Sequence, residues 1–346
     1  MTTHDGEAWR VAIDRGGTFT DVVAESTRGT RVVFKLPSSS PAYSEPALEA
    51  LKRLLNVSSL DARARARLVE VRLGTTVATN ALLERKGARV VLATTRGFGD
   101  ALAIGDQSRP SLFALEIQRA PSLVTSVVEI DERVDASGAV LLAPSPEQVQ
   151  RLLAAAYVPG AVLAVGLLHA VTNPKHELLV AAIGRSVGFG EVLTSHETVA
   201  VRRFLPRLET TVVDAALSPP LRTWLDAVTA ELGDVPCFVM QSSGGLARPD
   251  RVRGKDAVLS GPAGGAVGAL GVARRHGLQR VIGLDMGGTS TDVCAQVDAL
   301  ELRREAEIAG VRLRVPMVDV HTVAAGGGSI VRFDGEKLRA GPESAG

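Results

Sequence analysis

The sequence predicts an α/β protein. Apolar runs of strand length alternate with stretches of helical period along most of the 346 residues. One nine-residue phrase occurs twice, Asp14-Arg15-Gly16-Gly17-Thr18-Phe19-Thr20-Asp21-Val22 and Asp285-Met286-Gly287-Gly288-Thr289-Ser290-Thr291-Asp292-Val293. Seven of its nine positions agree. Each copy follows a short apolar run and ends in another, the pattern of strand, glycine turn, strand.

The elements follow in order. After the first hairpin, Val32 to Leu36 reads as a strand, broken by Pro37 and Pro41. Glu45 to Leu55 has apolar residues at helical spacing. The alternating Arg63, Arg65 and Arg67 fit a solvated helix face better than a nucleic-acid patch. Val69 to Leu73 is a strand, leading through Gly74 to Asn80 into a helix over Ala81 to Lys86, with Gly87 placed as a C-cap. Arg89 to Thr94 is a strand. Ser145, Pro146 and Gln148 mark a helix start with a capping box. A buried strand over Val162 to Leu168 and a helix over His176 to Val187 come next. Thr211 to Leu232 predicts a helix bent or split at Pro219-Pro220. Phe238 to Gln241 is a strand, and Ser260-Gly261-Pro262 opens a small-residue helix through Ala273.

Bulk composition narrows the function. The length allows about two domains at roughly 150 residues each. Charges nearly cancel at +1, and aromatics make up only 3%. Neither a basic face nor a base-stacking platform is expected, so nucleic acid is not a predicted partner. Cys237 and Cys294 are the only cysteines, which points to a reduced, cytoplasmic protein without a disulfide framework. Met1 to Glu7 lacks the pattern of a signal peptide, and no apolar run is long enough for a membrane span.

The repeated phrase suits a phosphate chain. Gly16, Gly17, Gly287 and Gly288 allow positive φ and leave no Cβ to obstruct a ligand, and successive N–H groups in such a turn form an anion-binding concavity. Thr18, Thr20, Thr289, Ser290 and Thr291 add hydroxyls. A carboxylate aimed at phosphate needs a cation between them, so Asp14 and Asp285, at the strand ends, are the predicted Mg²⁺ holders, either directly or through the ion's bound water. Two turns suit a nucleotide, ATP, held between two lobes.

With both turns in hand, the chain resembles the actin-like ATPase superfamily and, more closely, the hydantoinase A and 5-oxoprolinase family. The residues that carry the resemblance are Ile13 to Val22, Gly74 to Gly87, Thr95 to Phe98, Asn173 to Glu177, Ser195 to Glu197, Leu259 to Gly265, Asp285 to Asp292 and Thr322 to Ser329. Asp14-Arg15 and Gly341 to Gly346 lean toward the 5-oxoprolinase branch. The resemblance implies an actin-like (ribonuclease H-like) ATPase fold, with the first lobe largely complete and the second truncated. Residues 1–205 would carry the first phosphate loop and residues 206–346 the second, with about 65 residues after Val281. It further implies ATP-dependent opening of a cyclic amide such as 5-oxoproline or a hydantoin. It places Asp14, Asp285, Thr75 and Asn80 in catalysis, and Arg15 with the two glycine turns and Gly326-Gly327-Gly328 on the nucleotide. A partner subunit or a missing C-terminal half is expected, and self-association is compatible with this. An N-methylhydantoinase, a carboxylase subunit and an inactive assembly subunit are the alternatives.

Other residues keep two readings. Thr75, Thr76 and Asn80 either line the cleft or cap a helix. Arg109 fits a substrate carboxylate or an exposed loop. Ser260 to Gly265 offers N–H groups to an anion or packs closely through small side chains, and Gly326 to Ser329 contacts nucleotide or forms a hinge. The scattered histidines lack metal-ligand spacing, and His196 beside Glu197 is the most suggestive.

Overall fold

The computed structural model describes residues 7–107, 113, 121–288 and 290–345. Arg109 and Thr289, and the first six residues of the N-terminal reading, lie outside the described residues.

The chain opens with three antiparallel strands, β1 (Trp9–Arg15), β2 (Phe19–Ser26) and β3 (Arg31–Pro37). Helix α1 (Pro46–Leu55) starts where the Glu45 carboxylate accepts from the Ala47 amide and stops at left-handed Asn56. A short α2 (Ala62–Arg65), capped by Asp61, leads to β4 (Leu68–Thr75) and α3 (Val77–Leu83). Then follow β5 (Val90–Thr95), α4 (Ala101–Ile104), β6 (Val124–Ile130), and the pair β7 (Arg133–Val134) and β8 (Val140–Leu142). Next come α5 (Pro146–Ala156), β9 (Val162–Gly166), α6 (Lys175–Val187), β10 (Glu191–Thr194) and α7 (Ser195–Thr198). The long α8 (Phe204–Leu232) precedes β11 (Cys237–Met240), β12 (Leu246–Ala247) and α9 (Ser260–Arg275). The second hairpin is β13 (Arg280–Met286) and β14 (Thr291–Val297). Short strands close the chain: β15 (Leu302–Arg303), β16 (Ala306–Ile308), β17 (Val311–Leu313), β18 (Met317–Val318), β19 (His321–Val323), β20 (Ser329–Phe333) and β21 (Leu338–Ser344).

Three sheets organise these elements. The largest has the order β12-β11-β4-β1-β2-β3, with β1, β4 and β11 parallel and the outer strands antiparallel. The second, β10-β9-β5-β6, is wholly parallel. Both its faces are covered. Val91, Ala93, Leu163 and Val165 pack with α5 and α6, while Val90, Leu92, Val162 and Ala164 pack with Leu208, Val212 and Ala216 of α8. That double burial is why β5 and β9 read as unbroken apolar runs. The third sheet is β13-β14-β19.

Helix α8 joins the first two cores. Its first half lies on the parallel sheet, and Val213, Leu217, Leu221 and Leu225 share a cluster with Trp9, Val11, Ile13 and Leu51. Helix α8 is not split at Pro219-Pro220; it runs on through both prolines. Pro220 has no N–H for the Ala216 carbonyl four residues earlier. The backbone amide of Ala88 supplies that bond instead, at 2.8 Å. The same contact corrects the reading of Gly87. Helix α3 ends at Leu83 and Gly87 is no C-cap. A Cβ there would stand 2.8 Å from the Ala216 oxygen, so glycine is needed for close approach. The capping box at Ser145 is half formed: Ser145 accepts from the Gln148 amide, but the Gln148 side chain donates to Asp131.

Gly87→Ala is expected to push α8 away from residue 88 and destabilise the protein by about 1–3 kcal/mol, the usual cost of overpacking. Thermal or urea unfolding of the variant measures this, and an unchanged midpoint would contradict the packing account.

Candidate functional site

The two copies of the repeated phrase fold alike. In the first hairpin Asp14 pairs with Asp21 and Arg15 with Thr20; in the second Asp285 pairs with Asp292 and Met286 with Thr291. The turns close with the same bond, Gly16 N–H to Phe19 O at 3.0 Å and Gly287 N–H to Ser290 O at 2.9 Å. None of these four glycines takes the positive φ that the sequence allowed. Gly16 is required for space, since a Cβ there would lie 2.8 Å from the Phe19 oxygen. Among the described residues the N–H groups of Gly17 and Thr18 have no hydrogen-bond partner, and both residues are exposed. They are the donors that a phosphate can reach.

The two turns lie near enough for the Asp285 carboxylate to act on Asp14. Partial loss of hydration raises the Asp14 carboxyl above its ordinary range, the neighbouring Asp21 raises it further, and Asp285 of the other hairpin adds to both. Helix α9 spans the two sides. At its start the Ser260 hydroxyl donates to Thr75 O at 2.7 Å, and further along Ala269 stands against Gly283 of β13. The carboxyl ends of the parallel strands β1, β4 and β11 and the starts of α3 and α9 gather here, where open α/β sheets place ligands.

Gly74 makes room for the first carboxylate. It lies opposite Asp14 in the β1–β4 register, and a Cβ would stand 2.6 Å from Asp14 Oδ1. Asn80 lies beside the first turn, its Nδ2 donating to Thr76 Oγ1 and standing 4.0 Å from where a Cβ on Gly17 would be.

Other predicted residues serve the scaffold. The side chain of Arg15 faces Glu45 at 3.6 Å, at the start of α1. Thr20 is buried and bonds Ser38, and its counterpart Thr291 donates to Ala325 O. Thr75 is buried and its hydroxyl accepts from the Val77 amide, while the N-cap of α3 is Thr76, which makes no side-chain cap bond. Gly327 and Gly328 donate their amides to Gly287 O and Gly288 O, so this segment braces the second turn. A Cβ on Gly326 would meet the same turn. Around Gly261 and Gly265 no atom lies within 4 Å of an added Cβ, so close packing does not explain those glycines.

No group of three or more His, Cys, Asp or Glu able to hold a metal occurs among the described residues. Two carboxylates beside unpartnered N–H groups fit instead an ion that shares its coordination with phosphate and water, as Mg²⁺ does. Cys237 and Cys294 are free thiols, and burial pushes Cys237 up to about 11, away from thiolate chemistry.

A second polar cluster went unread in the sequence because its parts are far apart. Glu177 is fully buried and accepts from the Leu167 amide, the Ser195 hydroxyl, and both the amide and Nδ1 of His196, the last at 2.6 Å. Arg207 donates to Ser195 Oγ and to Leu167 O. Nearby, His176 Nδ1 lies 2.7 Å from Glu132. These bonds tie the carboxyl ends of β9 and β10 to α6 and α8.

Two outcomes follow from this geometry. The Glu177 bond raises the His196 pKa, so its stabilisation is full below the unfolded value of about 6.5 and is lost as pH rises through the folded one. Urea melts of the protein and His196→Gln should therefore differ most below that pH and converge at high pH; a gap independent of pH would remove His196 from the linkage. Asp285→Asn should lower the midpoint of the Asp14 carboxyl titration followed by NMR. An unmoved midpoint would mean that the two turns do not share a cleft.

Comparison with known proteins agrees with this architecture. Residues 10–188 match the hydantoinase/oxoprolinase N-terminal region and residues 207–346 the hydantoinase/oxoprolinase family. The chain is 38% identical to 5-oxoprolinase of Saccharomyces cerevisiae, over 97% of its own length and 30% of that protein. It is 40% identical to 5-oxoprolinase 1 of Arabidopsis thaliana, over 97% of its length and 29% of that protein. Caprolactamase subunit alpha of Pseudomonas jessenii is 33% identical, over 98% of this chain and 51% of the relative. Among solved structures, the ATP-dependent caprolactamase of the same organism superposes with a TM-score of 0.82 at 31% identity, over 97% of this chain and 51% of that one. Nucleotide-free acetone carboxylase superposes with a TM-score of 0.80 at 26% identity, over 98% and 51%. The chain thus spans about a third to a half of the relatives it matches, and by the match of both its parts it belongs to the hydantoinase/oxoprolinase family.

Proposed function

We propose that the chain carries the phosphate clamp of an ATP-dependent cyclic amidohydrolase whose substrate is 5-oxoproline and whose product is glutamate. The observation that carries this is the pair of hairpins with identical register, with the Asp285 carboxylate of one acting on Asp14 of the other. The relatives named 5-oxoprolinase support the substrate class, and the ATP-dependent caprolactamase supports the pairing of lactam opening with ATP. The strand order β4-β1-β2-β3, with β4 parallel and the rest antiparallel, supports an actin-like, ribonuclease H-like lobe. In this reading residues 1–205 form the first lobe and residues 206–346 begin the second.

An amide is a poor electrophile, and the ring makes it a stable one. Transfer of the γ-phosphoryl group to the amide oxygen releases ADP and leaves the carbon open to water. Water adds to that carbon and the ring C–N bond breaks, the nitrogen leaving as the amine and the carbon remaining as an acyl phosphate; a second water then hydrolyses the acyl phosphate to the carboxylate and inorganic phosphate. The chain's share is positioning and charge control. Gly17 and Thr18 offer N–H groups to phosphate oxygens, Asn80 flanks them, and Gly74 keeps Asp14 seated. Asp14 and Asp285 would hold Mg²⁺, which when bound supplies positive charge against the phosphates. Further polypeptide, as a partner subunit or as more of the same chain, completes the enzyme.

The likeness to acetone carboxylase favours a second reading, an ATP-dependent carboxylase subunit with the same clamp and a different substrate pocket. ADP release, assayed with the completing polypeptide present, separates the readings. Stimulation by 5-oxoproline is expected, and Asp285→Asn should abolish it without changing the far-UV circular dichroism. Stimulation by hydantoin or N-methylhydantoin alone would reassign the substrate. Stimulation by a ketone with bicarbonate would favour the carboxylase, and no stimulation by any of them would leave a non-catalytic assembly subunit.

A further inference from the structure

The two hairpins differ in what stands beside their second carboxylate. In the first sheet the register sets Gly74, Asp14, Asp21 and Lys35 in one row across β4, β1, β2 and β3. Strand alternation puts the Asp14, Asp21 and Lys35 side chains on the open face, since their neighbours Ile13, Val22 and Leu36 are buried. In the second hairpin Asp292 takes the place of Asp21, and the residue opposite it is Thr322 of β19. There a hydroxyl seats the carboxylate, Thr322 Oγ1 donating to Asp292 Oδ1 at 2.6 Å. In the first hairpin an ammonium stands in that place, with Lys35 Nζ 3.1 Å from Asp21 Oδ1.

The repeated phrase follows this difference. Phe19, one of its two mismatched positions, is Ser290 in the second copy. The Lys35 ammonium lies 5.2 Å from the centre of the Phe19 ring, within the range of cation–π attraction. A carboxylate and a ring thus hold one cation beside the turn that carries the Gly17 and Thr18 amides. The other cation of the phrase, Arg15, is turned to Glu45 on the opposite face. A triphosphate set among Asp14, Asp21 and Asp285 gathers more negative charge than one divalent ion cancels. Phosphoryl transfer depends on fixed positive groups to meet the remainder.

We propose that Lys35 is the cation of the clamp and binds the terminal phosphate of ATP, with Asp21 and Phe19 positioning it. An ammonium has three N–H groups and Asp21 can occupy one, which leaves the others for phosphate oxygens. The row lies behind the Arg15–Thr20 pair that opens the turn. Lys35 therefore meets the end of the phosphate chain, while the turn amides hold the part before it. The clamp is asymmetric, because Thr322 brings no charge to the same place on the second hairpin. The proposal rests on the nucleotide reading above and is independent of which substrate receives the phosphoryl group.

Calorimetry on the full chain with magnesium-ATP and magnesium-ADP tests it without turnover. Lys35→Met is expected to weaken ATP binding at least ~10-fold and ADP binding no more than ~2-fold, as for loss of one charged contact to the terminal phosphate. Lys35→Arg, which keeps the charge, should stay within ~3-fold of the parent for ATP. Lys86→Met, which removes the exposed ion pair with Glu84 beyond α3, should change neither affinity. The thermal midpoint of Lys35→Met should match the parent, because the ion pair it removes is half exposed. Equal losses for both nucleotides, no loss, or a Lys35→Arg as weak as Lys35→Met would overturn the role of Lys35 and leave the clamp standing. A parent chain that binds neither nucleotide would remove the clamp itself, and this proposal with it.

Discussion

The site depends on a repulsion. Asp14 and Asp285 stand at the ends of two separately folded hairpins; burial raises the Asp14 carboxyl most, the neighbouring Asp21 next, and Asp285 adds to both. Like charges brought together in partly dehydrated surroundings oppose folding unless something of opposite sign joins them. The scaffold holds them in place regardless. Gly74 gives Asp14 its space, Gly326 to Gly328 brace the second turn, and α9 spans both sheets. Acids held together in this way mark a candidate binding site. Together with the unpartnered N–H groups at Gly17 and Thr18, they point to a ligand that is anionic and carries its own cation.

Much of this was legible in the sequence because it is local. A strand, a glycine turn and a second strand occupy adjacent residues, so the repeated phrase announced both hairpins and their carboxylates. The β5 and β9 strands announced themselves by unbroken apolar runs. Helix starts at Glu45 and Ser145 lay within a few residues of the groups that cap them.

What was not legible is long-range. The survival of α8 through Pro219-Pro220 depends on an amide at Ala88, more than a hundred residues away. Gly87 and Gly74 look like ordinary turn glycines until the atoms facing them are known. The hydroxyls of Thr20 and Thr291 belong to the repeated phrase, yet strand alternation turns both away from the cleft into buried bonds. Arg15 likewise shares the Ile13 face and meets Glu45. Periodicity alone could have separated Asp14 from Arg15, since neighbouring strand residues point to opposite faces. The Glu177 cluster joins four segments; the sequence marked Asn173 to Glu177 and Ser195 to Glu197 singly, but not the bonds that join them.

The central claim is that both turns grip one metal–phosphate group. A double-mutant cycle on the magnesium-dependent affinity for ATP, with Asp14→Asn, Asp285→Asn and the double variant, measures it most directly. The account predicts strongly non-additive losses, with a coupling of about 1 kcal/mol or more, as for residues acting on one shared partner. Additive losses, or an affinity indifferent to magnesium, would contradict it.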